Sequence, residues 1–392
     1  MHPLADLDHA ATTRLRPQVA EAMAPFGSVR YGNPSGSHRL ARDAVRAVDD
    51  ARERLAQVIG CEPGDVVFTS GGTEADNQAV TGGMPPRPGV PVCSAVEHHA
   101  VLDVVEALDG RTVAVDASGR VDLEALASLL DELGERVSIV SVMLANNEVG
   151  TINDLSAVAA VIAAHEPEVP RVPLHTDAVQ AAAWLDLRTT TEDAQMISLS
   201  AHKLGGPKGI GALVVRRPTT VRPLILGGGQ ERERRSGTLN VAGIVGFAAA
   251  MELADAEREA TTLRVAALRD RLAAGLVSAV PGLVLTVGGG HSGVPGSGAT
   301  ATLPGACHVC VDGADSEALL FLLESDGVMA SAGSSCASGA QEASHVLTAM
   351  GVPPHAARGA LRLSLGRDST SADVDLALRV VPLAVERVRA FS

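Results

Sequence analysis

The sequence predicts an α/β fold with a mostly parallel sheet, followed by a smaller α+β domain. Over the first two-thirds of the chain, short β-type runs alternate with amphipathic helical stretches, which is typical of a parallel sheet flanked by helices. In the last third, a Gly-rich stretch precedes two further strands and their helices. A chain of 392 residues also exceeds the usual size of one hydrophobic core, so we expect two domains.

The first part opens with a helix that ends at a glycine. In "DAVRAVDDARERLAQVIG", Val45, Val48, Leu55 and Ile59 lie near one helical face, and Gly60 fits the C-cap. "DVVFTSGGTEADNQAV" then predicts a strand, a tight glycine turn and a helix. Further strands are expected in four apolar runs: "RVSIVSVML", "RVPLHTDAV", "AQMISLSAHK" and "GIGALVVRR". Further helices of this part are expected at 155–165 and 241–258.

The last third predicts the smaller domain. After a helix at 261–280 we expect a strand in "HVCVDG", a helix in "SEALLFLLESDG", a strand in "ALRLSLG" and a final helix. The large domain would then span residues 13–255, and the small domain residues 1–12 and 256–392. "CHVC" has metal-binding spacing, but in a strand its two cysteines face opposite sides and no second pair follows. We interpret both as structural thiols, and we expect no metal.

Composition limits the classes of partner. Asp and Glu outnumber Lys and Arg by 46 to 32, for a net charge of −14, which disfavours a nucleic-acid groove. The stretch "MHPLADLDHAATTRLRPQ" does not resemble a secretory signal, and no run approaches the roughly 20 apolar residues of a membrane span. Five cysteines, an odd count, favour free thiols in a reducing compartment. We therefore expect a cytoplasmic protein that binds neither nucleic acid nor membrane directly.

One lysine follows an apolar run and precedes a loop of small residues, in "SLSAHKLGGPKGIG". Partial desolvation of Lys203 at such a strand end would lower its pKa and make the amine nucleophilic, as attachment to a carbonyl cofactor requires. Taken alone, Lys203 is more readily interpreted as an ordinary loop lysine.

The neighbours of Lys203 change that interpretation. Asp177, at the end of the preceding strand, can supply the carboxylate that a pyridine nitrogen needs. Gly72 and Thr73, in a strand–Gly-Gly–helix turn, can offer N–H groups and a hydroxyl to a phosphate. Further donors stand just before the lysine, at Ser200 and His202. Ligands of open α/β sheets bind at the carboxyl ends of the strands, so the combination indicates a pyridoxal phosphate (PLP) site.

Many separated stretches extend this pattern, in order, from residue 7 to residue 367: "LDHAATT", "YGNPSGSH", "VVFTSGGTEADN", "AVEHHAV", "ANNEVGTI", "HTDAVQ", "SLSAHKLGGPKGIGAL", "GGGQERERRSGT", "SAGSSCASG" and "LRLSLGR". Together they make the chain resemble the cysteine desulfurase family, the NifS-like branch of the class V aminotransferases. The resemblance implies PLP fold type I, with a large PLP-binding domain and a smaller α+β domain.

The resemblance also implies roles for the matching residues. Lys203 would hold PLP covalently, Asp177 would pair with the ring nitrogen, and His98 would stack on the ring and move a proton. Taken by itself, His98 beside His99 is instead a surface histidine. The residues that match the other cofactor contacts are Gly72, Thr73, Asn147, Gln180, Ser200 and His202. The residues that match substrate contacts are Asn33, Asn147 and Arg362, the last because an arginine fork suits a carboxylate.

Two positions in "GGGQERERRSGT" bear on assembly. Thr238 resembles a residue that reaches the phosphate of a neighbouring subunit, which implies a homodimer with shared active sites. Glu233 stands where the family often has glycine, and we expect it to change the shape or charge of this loop.

Cys336, in "SAGSSCASGA", is a thiol among small residues, with none large enough to pack a core around it. The family's loop cysteine attacks the sulfur of the bound substrate. By resemblance, L-cysteine would lose its sulfur to Cys336 as a persulfide, leave as L-alanine, and the persulfide would pass to an acceptor protein. An iron–sulfur scaffold, tRNA thiolation or another thiolation pathway would each fit as the destination. The alternatives are a related PLP enzyme (selenocysteine lyase, C–S lyase or aminotransferase) and a non-catalytic scaffold of a sulfur-transfer complex.

Overall fold

A seven-stranded sheet forms the centre of the larger part of the molecule. The computed structural model describes residues 4–83, 89–165, 172–287, 301–333 and 344–391. In the order in which they lie side by side, the strands are β2 (Val66–Thr69), β8 (Gly211–Val215), β7 (Met196–Ser200), β6 (Leu174–Asp177), β5 (Val137–Ser141), β3 (Val90–Ser94) and β4 (Arg111–Val113). Only β8 pairs antiparallel with its neighbours, so the expected mostly parallel sheet is confirmed.

Helices pack around this sheet. In chain order they are α1 (Pro17–Met23), α2 (Arg39–Ile59), α3 (Gly72–Gly82), α4 (His99–Ala107), α5 (Leu123–Leu133), α6 (Leu155–His165) and α7 (Leu187–Thr190). The helix expected at 155–165 is confirmed, and α2 ends at Gly60, whose φ of 79° is the left-handed geometry that favours glycine. Within the described ranges, no helix combines the length and hydropathy needed to cross a bilayer.

A second, smaller sheet lies in the last third of the chain. It is antiparallel and contains β9 (Leu283–Leu285), β10 (Ala306–Val311) and β12 (Ala360–Ser364), with β10 in the middle. A separate parallel pair joins β1 (Ala5–Asp6) to β11 (Val328–Met329), so the first residues of the chain lie against this part. The helices here are α9 (Ser316–Ser325), α10 (His345–Ala349), α11 (Pro354–Ala357) and α12 (Ser371–Phe391).

Side chains along β10 point alternately to its two faces, and this places its two cysteines in different clusters. Cys307 belongs to the main hydrophobic cluster of the small part, whereas Cys310 belongs to a different cluster with Val346 and Leu347. Both thiols are buried. Burial raises the pKa of Cys307 to about 12, which keeps it a thiol rather than a metal-binding thiolate.

A single long helix connects the two parts. The sequence predicts two helices here, at 241–258 and 261–280, but the structure has one 39-residue helix, α8 (Val241–Ala279). No Gly or Pro interrupts the polar stretch between the two predicted segments, so nothing ends the helix there. Residues of its first half pack in the core of the large sheet and residues of its second half in the core of the small sheet. The domain boundary expected at residues 255 and 256 falls inside this helix.

Candidate active site

A cleft opens at the carboxyl ends of the central strands. It has a volume of about 220 Å³. The residues that line it are Gly72, Thr73, Asp76, His98, Met143, Asn147, Asp177, Val179, Gln180, Ser200, His202 and Lys203. The fold therefore brings together every cofactor-contact residue predicted from the sequence except Thr238.

Lys203 lies in a short 3-10 turn, Ala201–Lys203, that directly follows β7. Its Nζ donates hydrogen bonds to the carbonyl oxygens of Ala10 and Ala11, the latter at 3.0 Å. Burial lowers the pKa of Lys203 to about 8, with a further lowering from the charge of Arg362 and an opposing effect from Asp177. Far more of the amine is therefore unprotonated near neutral pH, about a tenth at pH 7, than for a solvated lysine, and the unprotonated form is the one that a nucleophile or a general base requires.

Asp177 is the last residue of β6, and its side chain is at the floor of the cleft. Its Oδ1 accepts a hydrogen bond from the backbone N–H of Val179 at 2.8 Å. Burial raises the pKa of Asp177, while that N–H, His98 and Lys203 favour the charged form. A protonated ring nitrogen placed against this carboxylate would add one more favourable charge.

The opposite end of the cleft is suited to an anion. Gly72 and Thr73 are the first two residues of α3, and the free N–H groups of a helix N-terminus bind phosphate. A Cβ at Gly72 would come within 2.8 Å of a methyl group of Val179, so only glycine fits this wall. Glu74, in the same first turn, is held by Arg235 at 2.8 Å and by the Ser70 N–H. Its charge is therefore neutralised beside the anion site.

Two histidines in the cleft are neutral at physiological pH. Burial and the nearby lysines lower the pKa of His202 to about 4. Burial also lowers the pKa of His98, with Asp177 opposing it. The Nδ1 of His98 accepts the N–H of Ala100 at 3.1 Å and so caps α4. The proton of the neutral His98 ring is therefore on Nε2.

Arg362 lies on β12 and lines an adjoining cavity of about 70 Å³, which shares Asn147, Gln180 and Lys203 with the cleft. Its Nη1 donates to the carbonyl oxygen of Asn147 at 2.9 Å, and its Nη2 to Asp8 at 2.8 Å. The small sheet thus delivers a buried cation to the cleft of the large sheet, with Asp8 as the counterion in the chain.

Two of the predicted residues that the structure describes line neither cavity. Asn33 is exposed, and its Oδ1 accepts the N–H of Ser35 at 2.9 Å, so it lines neither cavity. Thr238 is exposed as well. Cys336 lies outside the described residues.

Two acids beneath the cleft were missed by the sequence reasoning, Asp76 and Glu97. Thr73 and Asp76 are three residues apart on α3, a spacing that places them on one face, and this signal was available. Glu97 is adjacent to His98 and is fully buried. Nothing in its local sequence distinguishes it from a solvated glutamate.

These groups fit a phosphorylated pyridine aldehyde. The cleft offers a nucleophilic amine, a buried carboxylate facing it, and a helix N-terminus at the far end, while a cation for a substrate carboxylate lies next to the amine.

The aminotransferase class-V family model matches residues 6–377. The chain belongs to this family. It is 42% identical, over 98% of its own length and 97% of the relative's, to an IscS-like cysteine desulfurase of Mycobacterium tuberculosis.

Solved structures agree with this placement. A NifS-like protein superposes with a TM-score of 0.87 at 33% identity, covering 98% of this chain and 100% of that chain. The structure of SspA in complex with cysteine has a TM-score of 0.76 at 29% identity, covering 93% of this chain and 100% of that chain.

Proposed function

We propose that the protein is a PLP-dependent cysteine desulfurase, which removes sulfur from L-cysteine to give L-alanine and a persulfide on Cys336. The observation that carries the proposal is the half-buried amine of Lys203, with its pKa of about 8, in a cleft that also holds Asp177 and that adjoins the cavity lined by Arg362. The identity with an IscS-like cysteine desulfurase over nearly the whole chain supports the substrate.

The residues of the chain would divide the work. Lys203 would hold PLP, Asp177 would face the ring nitrogen, and Gly72, Thr73, Ser200 and His202 would bind the phosphate. When bound, PLP supplies an electron sink for charge that develops on the substrate Cα. Asn147 and Gln180 would contact the polar substituents of the ring.

Substrate binding and proton movement follow from the same geometry. Arg362 would bind the carboxylate of L-cysteine and share its guanidinium with Asn147 and Asp8, since Nη1 and Nη2 already donate to them while Nε has no partner among the described residues. The unprotonated Nζ of Lys203 would remove the Cα proton, and Nε2 of neutral His98 would exchange a proton with the substrate or the attacking thiol. We propose Asn33 as a substrate contact that forms only on assembly, because it is exposed in the single chain.

The role of Cys336 rests on the resemblance of "SAGSSCASG" to the family's loop. Its thiolate would attack Sγ of the bound cysteine, so that the Cβ–Sγ bond breaks and an S–S bond forms on Cys336. The acceptor would be a protein thiol in a sulfur-delivery pathway, with an iron–sulfur scaffold as one candidate, and we place the reaction in the cytoplasm.

The test uses the scarcity of lysine. Lys203 and Lys208 are the only lysines of the sequence. Borohydride reduction of the purified protein should fix PLP on the peptide that holds Lys203, in Lys208→Ala as in the parent protein but not in Lys203→Ala. With L-cysteine, the parent protein should release alanine and form a persulfide on the peptide that holds Cys336. Cys336→Ser should lose both products. Full alanine release by Cys336→Ser, or retention of PLP on another residue, would refute the proposal.

The proposal includes a homodimer in which Thr238 serves the site of the partner subunit. The exposure of Thr238, and of Leu226 in the segment that hydrogen-bonds to the Thr238 loop, supports an interface there; Leu226 is 80% exposed. Co-expressing Lys203→Ala with Thr238→Ala chains tests it. If Thr238 acts across the interface, mixed dimers regain a complete site and bind PLP better than Thr238→Ala dimers; no rescue would show that it acts within its own chain.

A further inference from the structure

Three carboxyl groups are buried together beneath the cleft. Asp76 comes from α3, Glu97 from the segment between β3 and α4, and Asp177 from the end of β6. Their exposed fractions are 1%, 0% and 7%. Burial raises the pKa of all three, and the charge of Asp177 raises the pKa of Asp76 and Glu97 further. Three charges cannot be kept together in such a site without compensation.

Charge compensation is incomplete at two of the three acids. Among the described residues, Oδ1 of Asp76 and Oε2 of Glu97 have no hydrogen-bond partner. The partners that remain are neutral: the hydroxyl of Ser198 bonds the Asp76 side chain, and Oε1 of Glu97 accepts the Met143 N–H at 2.6 Å. In the described part of the chain, neither acid pairs with an arginine or a lysine. Nε2 of His175 lies 3.6 Å from Oδ1 of Asp76.

His175 does not supply a positive charge. Its two ring nitrogens face the hydroxyls of Ser141 and Ser198, at 2.8 and 2.9 Å. Burial lowers its pKa to about 3, so the ring is neutral at physiological pH. Asp76 therefore faces a neutral imidazole, which cannot offset an ionised carboxylate.

The elements packed around Asp76 bring no other counterion. The strands β2, β7 and β8 carry no ionisable side chain. The ionisable residues of α4 are exposed on its outer face: His99, Asp103 and Glu106. On α3 itself, Glu74 is already paired with Arg235.

We propose that Asp76 and Glu97 are held as neutral carboxylic acids, which leaves Asp177 as the single carboxylate of the cluster and makes Asp76 a positioning residue for that charge. Asp177 is the acid that receives an N–H and faces Lys203 and His98. If Asp76 lost its proton, the like charge would drive a proton onto Asp177. The protonation states stand on the geometry alone; their consequence for a ring nitrogen rests on the proposed function.

Infrared spectroscopy of the full chain tests the proposal directly, because a protonated carboxyl has a carbonyl stretch above the amide band that shifts in D₂O and that a carboxylate lacks. At neutral pH, Asp76→Asn and Glu97→Gln should each remove one component of this absorption. If either substitution leaves the absorption unchanged, the assignment is overturned. This outcome does not depend on activity, so it is separate from the fate of the proposed function.

The pH dependence of stability gives a second readout. An acid whose pKa is raised in the folded state stabilises the protein below its ordinary pKa and loses that contribution as the pH rises. From about pH 5 upward, the unfolding equilibrium constant of the parent protein should therefore rise by up to about tenfold per pH unit relative to that of Asp76→Asn. Asp49→Asn, at an exposed position of α2, is the control and should show a flat difference. A flat or opposite trend for Asp76→Asn would contradict the proposal.

Discussion

Two regions of the molecule bury an acid, and they treat its charge in opposite ways. Glu231, in the turn that precedes α8, is 6% exposed and forms a bidentate ion pair with Arg52, at 2.8 and 2.6 Å. It also accepts the N–H of Phe68 at 2.8 Å. Asp76, beneath the cleft, is buried at least as deeply but has no cation.

The difference follows from what each region has to do. The turn needs a rigid tie, because Glu231, Arg232 and Glu233 have φ values of 49°, 56° and 65°, a left-handed run that costs energy for each side chain. A charged pair fixes both distance and orientation there. In the cleft, a second fixed charge would compete with Asp177, so a neutral acid is the better neighbour. Burial alone therefore does not tell whether an acid is ionised.

The largest expected effect comes from removing Lys203, the lysine of the cleft. Lys203→Ala should lower the rate of alanine formation by at least about 10²- to 10⁴-fold, the range for loss of a positioned base. The stability of the cofactor-free chain should change little, because the desolvation that lowers the pKa of Lys203 offsets its hydrogen bonds to the carbonyls of Ala10 and Ala11. Steady-state assays and thermal melts measure the two effects. Lys208→Ala is the matched control. If Lys203→Ala lost as much stability as Arg52→Met, described next, the contrast between the two regions would not hold.

Removing Arg52, the cation that pairs with Glu231 of the turn, should have the opposite result: a large loss of stability rather than a large loss of activity. Arg52→Met leaves Glu231 buried and unpaired, and should lower the free energy of unfolding by about 3–5 kcal/mol. Adding Glu231→Gln should recover part of that loss. Urea unfolding of the full chain measures both. Arg271→Met, which breaks the exposed ion pair with Asp375, is the control and should cost no more than about 1 kcal/mol. Equal losses of stability in the two variants would show that the buried ion pair contributes no more than an exposed one.

The titration of Lys203 sharpens the comparison further. In the cofactor-free chain, its amine should titrate near the value of about 8 that burial imposes. Asp177→Asn should lower that pKa, because it removes a favourable charge, and Arg362→Gln should raise it, because it removes a repulsive one. With only two lysines, ¹³C-methylated amines can be assigned by Lys208→Arg. Insensitivity to both substitutions would mean that desolvation acts alone.

The smallest effect is expected in the left-handed run. Glu233→Gly should stabilise the protein by up to about 1 kcal/mol, because glycine adopts this φ without strain, although its greater freedom in the unfolded chain offsets part of the gain. Asp109→Gly, at a φ of 53° in another turn, should gain less because aspartate tolerates the left-handed region better. Denaturant midpoints of the two variants decide the matter, and a loss of stability in Glu233→Gly would show that its side chain contributes to the turn.

Local patterns predicted the strand-end residues well. Lys203, Asp177 and Gly72 each follow or precede an apolar run, and parallel strands bring such positions to one edge of the sheet. Glu233 shows the value of a departure from a pattern, since the position where glycine is common has a left-handed φ in the structure. In these cases the chemistry is visible within a few residues of sequence.

Proximity between distant segments could not be predicted in the same way. The meeting of Asp76, Glu97 and Asp177 depends on β6 lying between β5 and β7 while α3 packs behind them, and sequence order does not reveal that arrangement. The continuity of α8 was missed for a different reason. The central stretch of this helix is polar and has no apolar stripe. The hydrophobic periodicity used for prediction therefore stops there, although the helix itself continues.

The uninterrupted α8 has a mechanical consequence for substrate recognition. It is about 58 Å long, and residues 255–264, between its two packed halves, are all exposed or half-buried. The midsection is nevertheless fastened to both parts of the molecule: Asp255 pairs with Arg188 at 2.7 Å, Glu257 pairs with Arg16 at 2.7 Å, and Arg264 donates to the carbonyl oxygen of Ser369 at 2.6 Å. Glu257 also lines the cavity that Lys203 and Arg362 line. The helix therefore forms a common wall between the two sheets, and the spacing of Lys203 and Arg362 depends on how firmly that wall is anchored.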